Sequence, residues 1–573
     1  MTAGERGRAF GRRVNWIAVA TIAAGVCALI VGWTGGFDLR FGGARLRSTA
    51  WERPALLAAA GSAWLLYGAR RQLAGAWARA VDAFDLRLLP GAAVAWVLAA
   101  GLLFGTFASG GADSYGYVGQ ARLLLNGRLT DTTPIRAGFN WPDAEATLIP
   151  LAFTQGAATG VIAPKYPPGL PMIMAPLAAL SEHAIYLLVP VCGALAVWLV
   201  YRLGADMGDP AAGGVAAMLL SVSPPFLYQL VQPMSDVPGV ACWLGALAAA
   251  SRGTTVSAAL AGGLSALAVA IRPNLGPLAG VILIAALVGR AAGRWRRAIA
   301  FAAGLAPGIV ALGWVQDVRY GSPFSSGYGT VADGFGAHNI GPNLARYPRW
   351  LTETHTPFIW LSLLTPAWIH RHARRPGLAW SAALLTCAVW AAYLPYTYFQ
   401  PHEWFYTRFL LPAIALMLLF AAGITLSIVR PLPQRLRSPA TCAILAGVLG
   451  TSLLSSQARS ALELHRLERK YPAAGGFARD HLPAAAFILA GQHSGSLRYY
   501  ASRPTLRWDL LGASHLDQAL ASLRAEGFEP FAVLDADEDE AFRLKFDGAG
   551  QRGAARLVPL ALLGSTRVYG FRR

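Results

Sequence analysis

Residues 408–429 read RFLLPAIALMLLFAAGITLSIV, and this stretch decides the class of fold. After Arg408 it contains no charged residue. A helix needs about 20 consecutive apolar residues to cross the hydrocarbon core of a bilayer, and this run meets that length. The stretch therefore predicts a membrane-spanning helix.

Similar runs recur along most of the chain. Of its 573 residues, 55% are hydrophobic and 14% are charged, whereas soluble proteins carry about 25% charged residues. The predicted spans, about thirteen at this length threshold, are residues 14–34, 54–69, 89–108, 184–203, 211–230, 236–251, 254–271, 274–290, 297–316, 355–370, 377–396, 408–429 and 438–456. Residues 167–180, with four prolines, are too short to span and predict a re-entrant or interfacial helix.

The net charge of +19 fits a membrane protein better than a nucleic-acid-binding protein. Its arginines cluster in short segments between apolar runs, as the positive-inside rule expects of cytoplasmic loops. We therefore predict a multi-pass protein of the bacterial inner membrane, with the N-terminus in the cytoplasm and the C-terminus in the periplasm or outside the cell. No nucleic-acid partner is expected.

Three parts are expected on this reading. Residues 1–88 carry extra spans and a cytoplasmic loop, and residues 89–456 form the main membrane module, with outer loops at 109–166 and 317–352. Residues 457–573 predict a soluble periplasmic α/β domain, because strand-like runs at 486–489 and 531–534 alternate with an amphipathic helix near 515–526. We expect this domain to act as a lid, to recognise an acceptor or to add stability.

The first outer loop opens with GADSYGY at residues 111–117, which places Asp113 close to the membrane surface. A carboxylate there can deprotonate an acceptor hydroxyl or bind a divalent metal. The alternative is that Asp113 only caps a helix from Ser114 to Asn126.

The same loop closes with KYPPGLP at residues 165–171. Lys165 is one of three lysines in the chain, and a lysine ammonium suits phosphate as a compact charge. It could equally be a cation whose head reaches from the membrane interface into water.

Two further ionisable groups are predicted at the outer membrane boundary. Asp236 lies in QPMSDVP at 232–238, and Arg272 lies in IRPN at 271–274. Charged groups at such depth are costly and mark functional sites by default. A structural ion pair between Asp236 and Arg272 is the alternative.

Aromatic and polar residues alternate at 320–329 and 396–408. Aromatic faces stack on sugar rings while polar groups bind hydroxyls, although an aromatic belt at the membrane interface has the same composition. The candidate sugar or acceptor contacts are Tyr115, Tyr166, Tyr328, His402, Glu403, Tyr406 and Arg408.

Together these motifs resemble the GT-C superfamily of membrane glycosyltransferases, in particular bacterial relatives of the protein mannosyltransferase and aminoarabinose transferase families (glycosyltransferase family 39-like). The matching strings in order are GADS at 111–114, KYPPG at 165–169, PMSDVP at 233–238, AIRPN at 270–274, YGSP at 320–323 and RFLLP at 408–412. The resemblance covers about residues 89–430.

The resemblance implies an inverting transfer of a hexosyl or pentosyl group from a polyprenyl-phosphate sugar to an envelope acceptor. Asp113 would be the general base, while Lys165 and Arg272 would hold the donor phosphate. Members of the superfamily often have a second acidic residue beside the first-loop aspartate, but Ser114 stands there in this chain. Asp143, Glu145 or Asp236 would then supply the second carboxylate or help to bind a divalent metal.

Two other classes of function stay open from the sequence. In a transporter or flippase of lipid-linked substrates, the same charges would line a pathway. In a non-catalytic envelope assembly protein, the outer domain would bind a partner. The collection of charged residues on one side of the membrane favours the transferase over the transporter.

Overall fold

The computed structural model describes residues 21, 24, 37–41, 44–48, 55–59, 62, 86–288, 293–398, 403–551 and 557–572. The chain divides into two compact units, one of residues 1–84 and 433–442 and the other of residues 85–432 and 443–573. In the first unit, strands β1 (Phe37–Phe41) and β2 (Ala44–Ser48) pair antiparallel. The predicted spans at 14–34 and 54–69 lie largely outside the described residues.

Apolar helices make up most of the second unit. Those before the second predicted outer loop, at 317–352, are α1 (Leu89–Phe104), α4 (Gly169–Leu180), α5 (Ala184–Asp206), α6 (Pro210–Ser221), α7 (Pro224–Leu230), α8 (Asp236–Ala250), α9 (Thr255–Ile271), α10 (Leu278–Leu287) and α11 (Arg294–Tyr320). Those after it are α14 (Thr365–His372), α15 (Pro376–Tyr393), α16 (Leu411–Val429) and α17 (Gln434–Ala458), of which only residues 443–458 belong to this unit.

The stretch quoted at the outset forms the centre of this bundle. The span Trp404–Val429 comprises a 3-10 helix at Trp404–Leu410 and then α16. In its most apolar 18-residue segment, 94% of the residues are buried, whereas in that of Arg294–Tyr320 only 17% are. A helix that is apolar on all sides and buried on all sides is surrounded by other helices. Hence α16 is the core helix, and α11 lies at the periphery of the bundle.

The predicted count of thirteen spans is not confirmed. Five helices in the described part of the chain are long and apolar enough to cross a membrane, or six if the bent pair of α6 and α7 is one span. Proline explains much of the difference, because it cannot donate the backbone hydrogen bond that a helix interior needs. Pro224 and Pro225 begin α7 after a 62° bend.

Two other predicted spans are also broken at prolines. Residues 355–370 are not one helix, because a 3-10 helix at Pro357–Leu364 precedes α14. The span predicted at 274–290 begins with a 3-10 turn at Pro273–Leu275, so that only α10 is α-helical. At 167–180, where no span is predicted, the helix is the 12-residue α4.

Residues 109–166, predicted from the sequence as the first outer loop, have a fold of their own. Helix α2 (Asp113–Leu125) is followed by the short α3 (Ala144–Thr147) and by strands β3 (Asp131–Thr132), β4 (Phe153–Gln155) and β5 (Val161–Pro164). The strands form an antiparallel sheet in the order β3-β5-β4. The second outer loop contains α12 (Val331–Gly334), a 3-10 turn at Ala337–Asn339 and α13 (Ile340–His355).

The C-terminal residues form an α/β fold. Its helices are α18 (Leu464–Leu467), α19 (Lys470–His481), α20 (Ser494–Ala501), α21 (Leu516–Ala525) and α22 (Ala536–Asp547), and its strands are β6 (Ala486–Leu489), β7 (Thr505–Leu506), β8 (Glu529–Asp535), β9 (Leu557–Leu563) and β10 (Thr566–Phe571). The sheet order is β7-β6-β8-β10-β9. Strand β6 is parallel to β7 and β8, whereas β10 is antiparallel to β8 and β9. That this part is a separate periplasmic domain stays a prediction.

Candidate active site

Asp113 is the first residue of helix α2, directly after a turn in which Gly111 has a φ of +55°. A carboxylate in the first turn interacts favourably with the helix dipole. However, no side-chain cap is made at this helix start. The side chain of Asp113 instead contacts two residues from distant parts of the chain. Asp113 is therefore not the helix cap that the sequence allowed as an alternative.

Tyr166 and Arg408 hold the two oxygens of Asp113. The hydroxyl of Tyr166 donates to Oδ1, and Nη1 of Arg408 lies 3.1 Å from Oδ2. Burial raises the pKa of Tyr166, and the charge of Asp113 raises it further, so the hydroxyl keeps its proton and can donate. The Asp113 side chain is still 34% exposed, which leaves it open to a substrate.

A glycine lets Tyr166 reach this position. A Cβ atom at Gly116 would lie 2.3 Å from Cδ2 of the Tyr166 ring, far inside van der Waals contact. A Cβ atom at position 116 would therefore displace the Tyr166 ring from the position in which its hydroxyl reaches Asp113. This is the structural reason for the second glycine of the GADSYGY segment, Gly116.

Asp236 and Arg272 form a second, more deeply buried ion pair. Arg272 Nη1 donates to Oδ1 of Asp236, whose side chain is 1% exposed. Asp236 begins α8, and Arg272 follows the last residue of α9. Nearby, the Tyr117 hydroxyl donates to Oγ of Ser235 over 2.8 Å. The ion pair weighed from the sequence is thus present.

Phe409 lies between the two ion pairs. Its ring centre is 4.9 Å from Cζ of Arg272 and 5.0 Å from Cζ of Arg408. Guanidinium groups are attracted to the face of an aromatic ring at such distances. Phe409 therefore brings the pair Asp236–Arg272 and the pair Asp113–Arg408 to one location at the start of the core helix.

Tyr117 connects the same groups electrostatically. Burial raises its pKa most, Arg272 opposes the shift, and Asp113 and Asp236 add to it. Its ring centre lies 5.0 Å from that of Tyr166. Both carboxylates and Arg272 therefore lie near Tyr117 on helix α2.

Lys165 precedes Tyr166 at the edge of this group. Its Nζ lies 5.1 Å from the ring centre of Tyr328, and the Tyr328 ring meets that of Tyr166 edge-on at 5.9 Å. The described part of the chain offers Lys165 no carboxylate within ion-pair distance. An ammonium group without a counter-charge is suited to binding an anion.

Two glycines allow the loops to approach so closely. A Cβ atom at Gly169 would lie 2.4 Å from the carbonyl carbon of Ala270, two residues before Arg272. One at Gly327 would lie 2.5 Å from Cα of Lys165. The KYPPG segment is thus packed directly on the end of α9, which brings Lys165 and Arg272 to the same side of the bundle.

Comparisons with known proteins found a family model and several solved structures that resemble this chain. The family model for dolichyl-phosphate-mannose-protein mannosyltransferase matches residues 165–314. No curated protein sequence matches the chain significantly. ArnT from Cupriavidus metallidurans bound to undecaprenyl phosphate is 14% identical with a TM-score of 0.50, covering 83% of this chain and 97% of that one. An oligosaccharyltransferase from Archaeoglobus fulgidus tethered to an acceptor peptide with the NVT sequon is 12% identical with a TM-score of 0.52, covering 85% and 74%.

The chain has the GT-C fold. The resemblance inferred from the motifs is thereby confirmed at the level of the fold, and the chain is a multi-pass membrane protein. A further match is the Archaeoglobus fulgidus enzyme AglB in complex with an inhibitory peptide and a dolichol-phosphate, at 12% identity and a TM-score of 0.52, over 86% of this chain and 75% of that one. At these identities the likeness concerns the fold alone.

Other candidate residues of this GT-C chain take different positions. Glu145 accepts hydrogen bonds from Nε2 of Gln155 and from the backbone N–H of Gly160, so it holds the β4–β5 turn. Asp143 is exposed at the start of α3. Neither has a contact with Asp113 among the described residues. The second carboxylate expected from the sequence is therefore not supplied there.

The aromatic candidates divide into covered and accessible side chains. Tyr115 is 6% exposed and packs on Gly495 of the C-terminal α/β fold, so it has no surface for a sugar. Tyr406 contacts Tyr398 with a ring-centre distance of 4.7 Å, and Glu403 is half-buried beside it. Tyr328 is half exposed. His402 lies outside the described residues.

No three His, Cys, Asp or Glu side chains in the described ranges lie close enough together to hold a metal ion. Asp113 is engaged by Tyr166 and Arg408 instead. The sequence allowed a divalent metal beside Asp113 without predicting one.

Sequence reasoning missed three residues near the site, namely Tyr117, Phe409 and Glu468. Tyr117 lies in the same motif as Asp113, and Phe409 directly follows Arg408. Their position beside a charged candidate residue is the sequence signal that could have identified both. Glu468 lies in the C-terminal part, where no sequence signal linked it to the first outer loop.

Proposed function

We propose that this protein is a glycosyltransferase that moves a sugar from a polyprenyl-phosphate donor to an envelope acceptor at the outer face of the bacterial inner membrane. The observation that carries the proposal is the partly exposed carboxylate of Asp113, held by Arg408 and Tyr166. It stands beside two more cationic groups, Arg272 and Lys165, at one end of the core helix. A base and a set of cations are what transfer from a lipid phosphate requires.

The donor phosphate is assigned to Lys165 and Arg272. Lys165 has no carboxylate partner among the described residues, and a phosphate would supply its counter-charge. Arg272 is paired with Asp236 but presents part of its side chain, 11% of which is exposed. The fold match to a protein bound to undecaprenyl phosphate supports a lipid phosphate as the ligand class.

The reaction follows from the charges. Asp113 takes the proton from the acceptor, the acceptor oxygen bonds to the anomeric carbon, and the bond from that carbon to the phosphate oxygen breaks. The electron pair stays on the lipid phosphate, whose added charge Lys165 and Arg272 neutralise. A base and a leaving group on opposite sides of the anomeric carbon give inversion of configuration.

Arg408 and Tyr166 are positioning residues in this scheme. Each binds one oxygen of Asp113 and so sets the direction of its remaining lone pairs. Asp236 plays a similar part for Arg272. Tyr328, Tyr406, Glu403 and the aromatic residues around them would contact the sugar or the acceptor through ring faces and polar edges.

The test uses membranes or purified protein supplied with a labelled polyprenyl-phosphate sugar. We expect Asp113→Asn to abolish sugar transfer, while Asp131→Asn in the same loop, an exposed residue paired with Arg128, leaves it unchanged. Full transfer in the Asp113 variant would remove the proposed base. Movement of the labelled lipid across the bilayer without transfer would favour the flippase instead.

A further inference from the structure

The C-terminal α/β fold reaches the loop that carries Asp113. A Cβ atom at Gly110 would lie 2.0 Å from Cδ2 of Tyr471 and 2.6 Å from Oε2 of Glu468. A Cβ atom at Gly111 would lie 3.4 Å from the hydroxyl oxygen of Tyr471. The Glu468 carboxylate is therefore packed against the backbone of the turn that leads into Asp113.

The charge of Glu468 is not neutralised by an ion pair with any residue that the structure describes. Lys470, two residues further along the chain, is 2.6 Å from Oδ2 of Asp535 and is engaged there. Within the described part of the chain, Glu468 takes part in no ion pair and its side chain in no hydrogen bond. Although its oxygens make no such hydrogen bond, they are not fully buried, so at least part of the carboxylate faces solvent-accessible space.

Several titratable groups surround Glu468. They are Asp113 of α2, Tyr228 of α7, Lys470 and Tyr471 of α19, Tyr500 of α20 and Asp535 of β8. Burial raises the pKa of Glu468 to about 7, Lys470 opposes the shift, and Asp535 and Asp113 add to it. A carboxyl group of this kind exchanges its proton near neutral pH, where a proton acceptor or donor works best.

We propose that Glu468 is a proton-relay carboxylate, supplied by the C-terminal fold, that takes the acceptor proton from Asp113 and passes it to water. The inference rests on the proposed function and deepens it. Both oxygens of Asp113 are engaged by Tyr166 and Arg408, whereas Glu468 is the free carboxylate next to them. It also gives the C-terminal fold a part in the reaction besides covering the site.

The proton balance is simple. The acceptor O–H bond breaks as its oxygen bonds to the anomeric carbon, and the proton resides on Asp113. It then moves to Glu468, which must be deprotonated to receive it. Glu468 releases it to solvent, so that Asp113 is again a base for the next turnover.

The first measurement is the pH profile of transfer by the full-length protein. We expect turnover of the wild type to rise with pH through about 7, because the relay needs Glu468 deprotonated. Glu468→Gln should lose this rise and lower the turnover about tenfold or more, with the donor KM unchanged. Glu468→Asp should restore part of the turnover and move the profile. The matched control is Glu463→Gln, an exposed residue in the same segment.

The second measurement does not depend on transfer. Difference infrared spectroscopy of the purified protein should show a protonated carboxyl band that titrates near neutral pH and is absent from Glu468→Gln. Asp113→Asn should move its midpoint to lower pH, because the charge that favours protonation is gone. If both results appear but no lipid-linked sugar is transferred, the proposed function fails and the coupling of the two carboxylates stands. An unchanged pH profile in Glu468→Gln, or a midpoint that Asp113→Asn leaves in place, overturns the relay.

Discussion

The buried pair of Asp236 and Arg272 makes a prediction with a definite size. Arg272→Ala leaves the Asp236 carboxylate, 1% exposed, without a counter-charge. Removing one partner of a buried pair costs about 3–5 kcal/mol, because the surviving charge stays desolvated. An exposed pair such as Arg128 with Asp131, at 51% and 38% exposure, contributes only about 0–1 kcal/mol. We therefore expect Arg272→Ala to destabilise the protein several times more than Arg128→Ala.

The assay is a double-mutant cycle on the purified protein in detergent. The free energy of unfolding is measured by denaturant titration for the wild type, Arg272→Ala, Asp236→Ala and the double variant. The double variant should be less destabilised than the sum of the single variants, since no unpaired charge remains in it. A coupling energy of about 0.5–3 kcal/mol is the expected range for groups in contact. Additivity of the two single effects within about 0.5 kcal/mol would refute the pairing.

The same variants separate stability from donor binding. Asp236→Asn breaks the ion pair but keeps Arg272, so it should lower stability while leaving the donor KM close to that of the wild type. Arg272→Ala should lower stability and also raise the donor KM. An unchanged donor KM in Arg272→Ala would mean that Arg272 does not bind the phosphate and that Lys165 alone holds it.

Three further predictions concern Tyr166, Gly169 and Asp535. Tyr166→Phe removes the hydroxyl that donates a hydrogen bond to the charged Asp113 carboxylate. Because such a hydrogen bond contributes about 1.5–3 kcal/mol, turnover should fall roughly 10- to 150-fold. The control Tyr201→Phe in helix α5 should not change turnover, and equal turnover in the two variants would argue against the role of Tyr166. Gly169→Ala places a Cβ atom against the Ala270 backbone and should lower the unfolding free energy by about 1–3 kcal/mol. The control Gly280→Ala, with open space around the added Cβ atom, should change the unfolding free energy by less than about 0.5 kcal/mol. Thermal unfolding of both variants tests this, and equal stability of the two would contradict the close packing of α4 on α9. Burial alone would raise the pKa of Asp535, but His493, Lys470 and Thr566 together hold it below its ordinary value of 3.8. This stabilisation is complete above the unfolded-state pKa of about 4 and is lost as the pH falls, so Asp535→Asn should flatten the acid dependence of the unfolding free energy, and an unchanged slope would count against the network.

Apolar runs identified most helices, because a long hydrophobic stretch has few alternatives in a membrane. Residues 408–429 became the core helix, and residues 377–396 became α15. Helix ends and breaks were harder to predict. A proline can begin a helix, kink it or end it, and the difference depends on which neighbours can satisfy the freed backbone groups. Residues 355–370 therefore looked like one span although Pro357 begins a separate 3-10 helix.

Parts of the site could be named from the sequence, but their contacts could not. Asp113, Lys165, Asp236 and Arg272 stand out because ionisable groups are rare near apolar runs. The partner of Asp113 is 295 residues away, and Arg408 was considered only as a sugar contact. No periodicity relates two positions so far apart, since their proximity arises from helix packing. Glu468 lies still further along the chain and was invisible for the same reason.

The distance along the chain between Asp113 and Arg408 has a consequence for biosynthesis. Ribosomes add about 5–20 residues per second, so Asp113 would wait roughly 15–60 s before Arg408 is made, and longer before Glu468 follows. During that interval the carboxylate has neither its cation nor its carboxyl neighbour. A chain whose translation stops before residue 408 thus carries the proposed base with only one of the two groups that orient it. We expect such truncated products to be unable to consume the lipid-linked sugar pool.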